Sequence, residues 1–159
     1  MPNHWNIEGL PHKGWIYETI IDLKEDREDY ETCMMCGREE LRYVHILSHD
    51  KVSDTYRVGC VCAEKMTDDY VNPKERQRRA EKRANRKEKW KYKDWKQSHK
   101  GNDYYNFEEH LLVIFIDKKT NKFKYTIDSV FSLKSYQYMS EAKGAIFYKM
   151  EEMKENGKW

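Results

Sequence analysis

The sequence predicts an α+β protein with three consecutive parts: a cysteine-containing module, a long basic helix, and a three-stranded antiparallel sheet packed on one helix. All four cysteines lie between residues 33 and 62. Residues 74–97 lack Gly and Pro and are dense in Lys and Arg. The last third alternates apolar and polar residues before a final amphipathic stretch. These observations place the parts at 1–72, 73–100 and 101–159.

The first element is a predicted strand. Residues 1–14 contain several breakers, so this stretch is expected to be irregular. Residues 15–23 are rich in aromatic and β-branched side chains, which favours a strand. The acidic residues 24–31 that follow are interpreted as a solvated connector.

The cysteine clusters predict a structural zinc site. Cys33 and Cys36 form a Cys-x-x-Cys pair followed by Gly37, a pattern typical of a metal-binding knuckle. Cys60 and Cys62 follow at a distance that suits a second pair of ligands. Cysteines at Cys-x-Cys spacing pair poorly with each other in a disulfide, and the chain shows no secretion pattern. One zinc ion is therefore the expected cofactor.

A hairpin is predicted between the two cysteine pairs. Residues 41–49 alternate in the manner of a strand, and residues 55–58 return as its partner. Gly59 is expected at positive φ, leading into a helix over 63–70. A knuckle, a hairpin and a helix that carries the last ligand form the arrangement of a treble clef.

The ligand set is left open between two residue types. Pairing of the hairpin sets His45 opposite Val58, near the metal end, so His45 competes with Cys60 for one coordination position. The alternative for His45 is a half-buried strand histidine that makes a hydrogen bond. His49 is interpreted as a turn residue. The candidate metal ligands are Cys33, Cys36, Cys60, Cys62 and His45.

The basic helix is expected to start at Asn72–Pro73 and to run to about Gln97. Residues 74–100 carry thirteen Lys/Arg against four Asp/Glu, a net charge of +9, whereas residues 1–40 carry four against ten, a net charge of −6. Such asymmetry suggests a surface that faces a polyanion, and the alternative is that the acidic segment folds over the basic one within the molecule. The candidate nucleic-acid contacts are Arg78, Arg79, Lys82, Arg83, Arg86 and Lys89, with Trp90 and Trp95 as candidate base-stacking side chains. The competing interpretation is that both tryptophans pack the helix onto the C-terminal sheet.

The C-terminal part reads as three strands and one helix. Strands are predicted at 111–116 and 123–127, with a short third strand within 130–138. Ser140 is expected to cap a helix whose apolar face contains Ala142, Ile146, Met150 and Met153.

Two resemblances accompany these patterns. The segments Cys33-Met34-Met35-Cys36-Gly37, Arg42-Tyr43-Val44-His45 and Val58-Gly59-Cys60-Val61-Cys62-Ala63-Glu64-Lys65-Met66 resemble a group of small uncharacterised bacterial and phage proteins with a treble-clef-like zinc motif. That resemblance implies a zinc site and brings no mechanism with it. The C-terminal sheet and helix look like the DNA-binding domains of ethylene-response factors and integrases, a likeness of topology that extends to a Tyr136–Ala142 ending.

Three classes of function are weighed on these features. A non-catalytic nucleic-acid binder is favoured by the basic helix and its interleaved aromatics. An adaptor or inhibitor of a host protein is the alternative, in which the acidic residues 25–31 would face a basic partner. An enzyme is not expected, because the histidines are scattered and the metal positions are filled by protein side chains. Without an apolar run that could span a bilayer or a signal-peptide pattern, a cytoplasmic protein without membrane contact is expected.

Overall fold

The structure is a computed structural model that describes residues 3–159. Within this range the chain has three α-helices and two antiparallel sheets, which confirms the α+β part of the prediction. After a short 3-10 helix at His4–Asn6, the elements are β1 (Ile16–Asp22), β2 (Tyr43–His49), β3 (Val52–Val58), α1 (Cys60–Thr67), α2 (Asn72–Trp90), β4 (Lys96–Gln97), β5 (Asp103–Phe107), β6 (His110–Asp117), β7 (Lys122–Ile127), β8 (Val130–Phe131) and α3 (Met139–Glu155).

The chain forms two compact units, which we call the N-terminal unit, ending at Asn85, and the C-terminal unit, Arg86–Trp159. The boundary falls inside α2, so the two ends of this helix pack within different units. Each unit has its own cluster of buried side chains.

The sheet of the N-terminal unit has the strand order β1-β2-β3, and both pairings are antiparallel. His45 lies opposite Val58, as the sequence predicts. The turn is shorter than expected, because β3 begins at Val52 and His49 is the last residue of β2. Trp15, Leu23, Val44 and Leu47 are among the buried residues of this unit.

Helix α1 starts earlier than predicted. It runs over Cys60–Thr67 instead of 63–70, so both Cys60 and Cys62 lie in its first turn. The expectation of positive φ at Gly59 is wrong, since its φ is −76°. A Cβ at this position would lie 3.3 Å from Leu41 Cδ2, so close packing accounts for the glycine. The positive φ occurs at Gly37 instead, at 79°.

Helix α2 begins beside a side-chain acceptor and ends at a buried aromatic residue. The Asp69 carboxylate accepts hydrogen bonds from the backbone N–H groups of Val71 and Asn72, at 3.0 and 2.9 Å. The helix ends at Trp90, seven residues before the predicted end at Gln97. Trp90 is buried in the C-terminal core, and Lys96–Gln97 pairs with β5 as a short strand.

The C-terminal sheet has five strands in the order β4-β5-β6-β7-β8, so the prediction of three strands is wrong. The missed strands are β4 and β5. Residues 103–107 carry a charge, an amide and adjacent tyrosines, so their sequence lacks a clear apolar alternation. Pairing with the strongly apolar β6 organises this segment as a strand.

Helix α3 packs through the predicted face. Ala142, Ile146 and Met150 are buried against the sheet, and Phe147 joins them. The predicted cap is wrong, because Tyr138 occupies the N-cap position, makes no side-chain capping bond, and Ser140 lies within the helix.

Candidate metal centre

Three cysteines converge at one point of the N-terminal unit. Cys33 and Cys36 come from the loop between β1 and β2, and Cys62 comes from the first turn of α1. Their sulfur atoms all lie within 4.8 Å of one another. Cys33 and Cys62 are buried, whereas Cys36 is exposed. This group of three thiols, the three-cysteine site, could hold a metal ion.

Backbone hydrogen bonds shape the loop that carries the first two cysteines. The Gly37 N–H donates to Cys33 O at 2.9 Å, and the Cys33 N–H donates to Arg38 O at 2.7 Å. The positive φ of Gly37 permits this reversal without a side-chain clash. The Met34 N–H donates to Arg57 O at 2.9 Å, which joins the loop to β3. The knuckle is therefore held by its own backbone and by the sheet.

The thiols of the site lie close enough to shift each other's pKa. A hydrogen bond from the Cys62 thiol lowers the pKa of Cys33 to about 5, and backbone N–H groups add to this effect against the cost of burial. The same contact raises the pKa of Cys62. Metals bind the thiolate form of cysteine, so a cation beside the three sulfurs would displace the thiol protons. The environment thus already favours negative charge on Cys33.

Cys60 lies outside the three-cysteine site but borders the same pocket. Its Sγ is 3.8 Å from Glu64 Oε1, and burial together with this carboxylate raises the pKa of Cys60 to about 11. Glu64 is buried and forms an ion pair with Lys74 at 3.3 Å. The adjoining pocket has a volume of about 220 Å³, and Gln77 is part of its lining together with all four cysteines.

His45 also lies outside the three-cysteine site, fully buried in β2. Its Nδ1 is 2.7 Å from the Tyr17 hydroxyl, and its Nε2 is 2.9 Å from Gln77 Oε1. The Gln77 Nε2 group donates to Glu81 at 3.2 Å, which orients the amide oxygen toward the histidine. His45 Nε2 must then carry the proton, and Nδ1 accepts from Tyr17. Burial lowers the pKa of His45, in keeping with a neutral ring.

Both ring nitrogens of His45 are therefore occupied by protein partners. This is the alternative that the sequence left open, a strand histidine with hydrogen-bond partners. Neither Tyr17 nor Gln77 was singled out from the sequence, since nothing in their local pattern indicates a contact with a residue about thirty positions away. Neither His45 nor Cys60 belongs to the group of three converging cysteines.

The predicted phosphate-contacting side chains differ in their surroundings. Arg78, Arg79, Lys82 and Lys89 are exposed on α2, and Arg78 forms a local ion pair with Glu75 at 3.2 Å. The other two basic residues are engaged within their own units. Arg83 lies 3.7 Å from Glu25, and Arg86 forms a bidentate pair with Glu151 at 2.9 and 2.7 Å.

The predicted stacking role of Trp90 does not fit its position. Only 5% of Trp90 is exposed, and its indole N–H donates to the Lys143 carbonyl at 2.8 Å. Its ring packs edge-on against Trp95 and Phe107 in the C-terminal core. Trp95 is half-buried in the same cluster. Trp90 thus follows the competing interpretation, in which the ring packs on the C-terminal sheet.

The acidic connector is also not wholly solvated. Glu31 accepts two hydrogen bonds from Arg57, both at 2.7 Å, and Glu25 pairs with Arg83 within the same unit. These carboxylates neutralise basic groups of the N-terminal unit. Asp26, Glu28 and Asp29 of the same connector are exposed.

Comparisons with protein-family models, with curated proteins and with solved structures give no match for this chain. Among residues 3–159, none of the helices combines the length and the apolar character needed to cross a membrane.

Proposed function

We propose that this chain is a non-catalytic zinc protein that binds nucleic acid through the exposed basic side chains of α2. The observation that supports the binding role is the exposure of Arg78, Arg79 and Lys82 on one helix. Positions three and four apart are neighbours on a helix surface, so Lys82 lies beside both arginines. Flexible cations in this arrangement can neutralise adjacent phosphates and release counterions.

The zinc ion in this proposal is structural. Cys33, Cys36 and Cys62 supply three thiolates, and Cys60 is the proposed fourth ligand because it borders the same pocket. The knuckle, the β2–β3 hairpin and α1 then form a treble clef around the ion. A bound ion would cross-link loop, sheet and helix in a unit whose sequence is poor in large aliphatic residues.

The test is a salt titration of binding to duplex and single-stranded nucleic acid. The variant carries Arg78→Glu, Arg79→Glu and Lys82→Glu. Its affinity should fall, and the slope of log affinity against log salt should become shallower by about 2 to 3, because each lost phosphate contact contributes roughly 0.7 to 0.9.

A matched control reverses three exposed lysines that lie outside both α2 and the C-terminal sheet, Lys51→Glu, Lys118→Glu and Lys119→Glu, which changes the net charge equally. The control should keep a slope close to that of the wild type. Equal slopes for the wild type and the α2 variant would contradict the proposal. Absence of binding at low salt would instead favour a protein partner for the chain.

A further inference from the structure

The C-terminal sheet has two faces, and α3 packs on one of them. Paired residues of neighbouring strands point to the same side of a sheet, and successive residues alternate. Leu112, Ile114, Tyr125 and Ile127 share the side that is buried with α3 in the C-terminal core. The residues of β4 to β8 that alternate with this buried set point to the opposite side, which we call the outer face.

The outer face combines aromatic and basic side chains. The strand register assigns to it Lys96, Tyr104, Asn106, Leu111, Val113, Phe115, Asp117, Lys122, Lys124, Thr126 and Phe131. Three of these residues are aromatic and three are lysines, against one aspartate. Asp117 lies 3.6 Å from Lys124, so the face keeps an excess of positive charge.

One row of this face crosses four strands. Tyr104 pairs with Val113, Val113 with Thr126, and Thr126 with Phe131. At the usual spacing of about 4.8 Å between strands, Tyr104 and Phe131 are roughly 14 Å apart. Phe115 lies next to this row, with its ring centroid 5.7 Å from that of Phe131. The three aromatic rings of the outer face are thus distributed across the sheet from β5 to β8.

This composition is unusual for an exposed sheet surface. An antiparallel sheet covered on one side normally presents polar residues on the other. Here Phe131 is 65% exposed and Leu111 is 41% exposed. Exposed apolar groups that lie close together mark sites of interaction. The outer face is therefore a candidate binding surface.

We infer that the outer face binds single-stranded nucleic acid, with Tyr104, Phe115 and Phe131 stacking on unpaired bases. Aromatic side chains stack on any base, whereas the bases of a duplex are already stacked on each other. Lysine is depleted in protein–protein interfaces, so Lys96, Lys122 and Lys124 among the rings favour a polyanion over a protein partner. This inference shares its partner class with the proposed function but depends on different residues.

The test measures the fluorescence anisotropy of a labelled oligothymidine or oligouridine of about twenty nucleotides as the 159-residue chain is added, with a labelled duplex as the comparison. Tyr104→Ala and Phe131→Ala should each weaken single-strand binding about five- to a hundredfold, the range of a lost base–aromatic stack. Their salt slopes should not change, because phosphate contacts remain. Phe131→Trp should retain binding, since a larger ring preserves stacking.

Tyr70→Ala is the matched control, because Tyr70 is 54% exposed and lies in the N-terminal unit. It should bind as the wild type does. Wild-type affinity in both Tyr104→Ala and Phe131→Ala would overturn the inference. Self-association that Phe131→Ala abolishes, without single-strand binding, would also overturn it by assigning the face to a second copy of the chain.

The α2 variant and the outer-face variants report on different claims. Charge reversal on α2 tests the proposed function through the salt slope. Ring removal on the outer face tests this inference through affinity at constant slope. If one set of variants binds as the wild type does and the other set shows its expected change, the claim tested by the first set fails and the other claim stands.

Discussion

His45→Leu should destabilise the N-terminal unit without removing the proposed zinc ion. His45 is fully buried and bonded to Tyr17 and Gln77, and the substitution keeps a side chain of similar size. It leaves the Tyr17 hydroxyl and the Gln77 carbonyl without their partner. An unsatisfied buried polar group costs about 1 to 3 kcal/mol. Because both partners are only half-buried, the expected loss is about 2 kcal/mol in total.

The assay must report on one unit, because tryptophans occur in both cores. Hydrogen exchange of peptides from β2 and β3, read by mass spectrometry, gives the local opening free energy. His49→Leu is the matched control, since His49 lies in the same strand and bonds through Nε2 to an exposed carbonyl at 3.1 Å. It should cost less than about 1 kcal/mol.

Zinc content distinguishes a hydrogen-bonded His45 from a ligand. The His45→Leu protein should retain its zinc, because both ring nitrogens are already used by protein partners. A zinc-depleted, unfolded N-terminal unit in this variant would refute the reasoning and return His45 to the ligand set.

Two further predictions concern packing and backbone conformation. Trp90→Ala should cost about 3 to 5 kcal/mol in the C-terminal unit, as expected for a buried aromatic, whereas Tyr92→Ala, at a 79% exposed position, should cost less than about 0.5 kcal/mol. Urea unfolding, followed by hydrogen exchange of β6, measures the stability of both variants. Similar losses of stability in Trp90→Ala and Tyr92→Ala would contradict the assignment of Trp90 to the core. Gly37→Ala should cost about 1 to 2 kcal/mol because φ is 79°, and Gly59→Ala should cost less because φ is −76°. If hydrogen exchange in β2 shows equal losses of stability for Gly37→Ala and Gly59→Ala, the Leu41 side chain cannot move away from a Cβ at position 59.

The fold class and the hairpin could be predicted because their signals are local. The alternation of residues 41–49 sets the face of each side chain. The expected pairing of His45 with Val58 holds although the turn is shorter than expected, because the register of the hairpin shifts between Leu47 and His49. The end of α2 could not be predicted in the same way. Trp90 ends the helix through contacts with β5 and α3, which are distant in sequence.

The missing strands of the C-terminal sheet have a similar cause. Residues 103–107 gain their conformation from pairing with β6, not from their own pattern. The outer face could not be predicted for the same reason. The pairing register of β5 to β8 places Tyr104, Phe115 and Phe131 on one side of the sheet, and this register cannot be derived from the sequence pattern alone.

For the metal site, the sequence identifies the four cysteines but does not show which of them come together. Cys33, Cys36 and Cys62 converge, whereas Cys60 faces Glu64, one helical turn ahead. The Cys-x-Cys spacing does not tell which of the two sulfurs enters the group, because both lie in the first turn of α1. The backbone positions of α1 and of the loop before β2 determine that Cys62, and not Cys60, joins Cys33 and Cys36.

Native mass spectrometry of the 159-residue chain and its Cys62→Ser variant tests the central claim most directly. The account predicts one zinc ion in the wild type. It predicts none in Cys62→Ser, together with rapid hydrogen exchange throughout β1 to β3 and normal protection in β6 and β7. A wild-type chain that is folded and zinc-free, or a Cys62→Ser chain that keeps the ion, would contradict the claim that these three cysteines hold a structural metal.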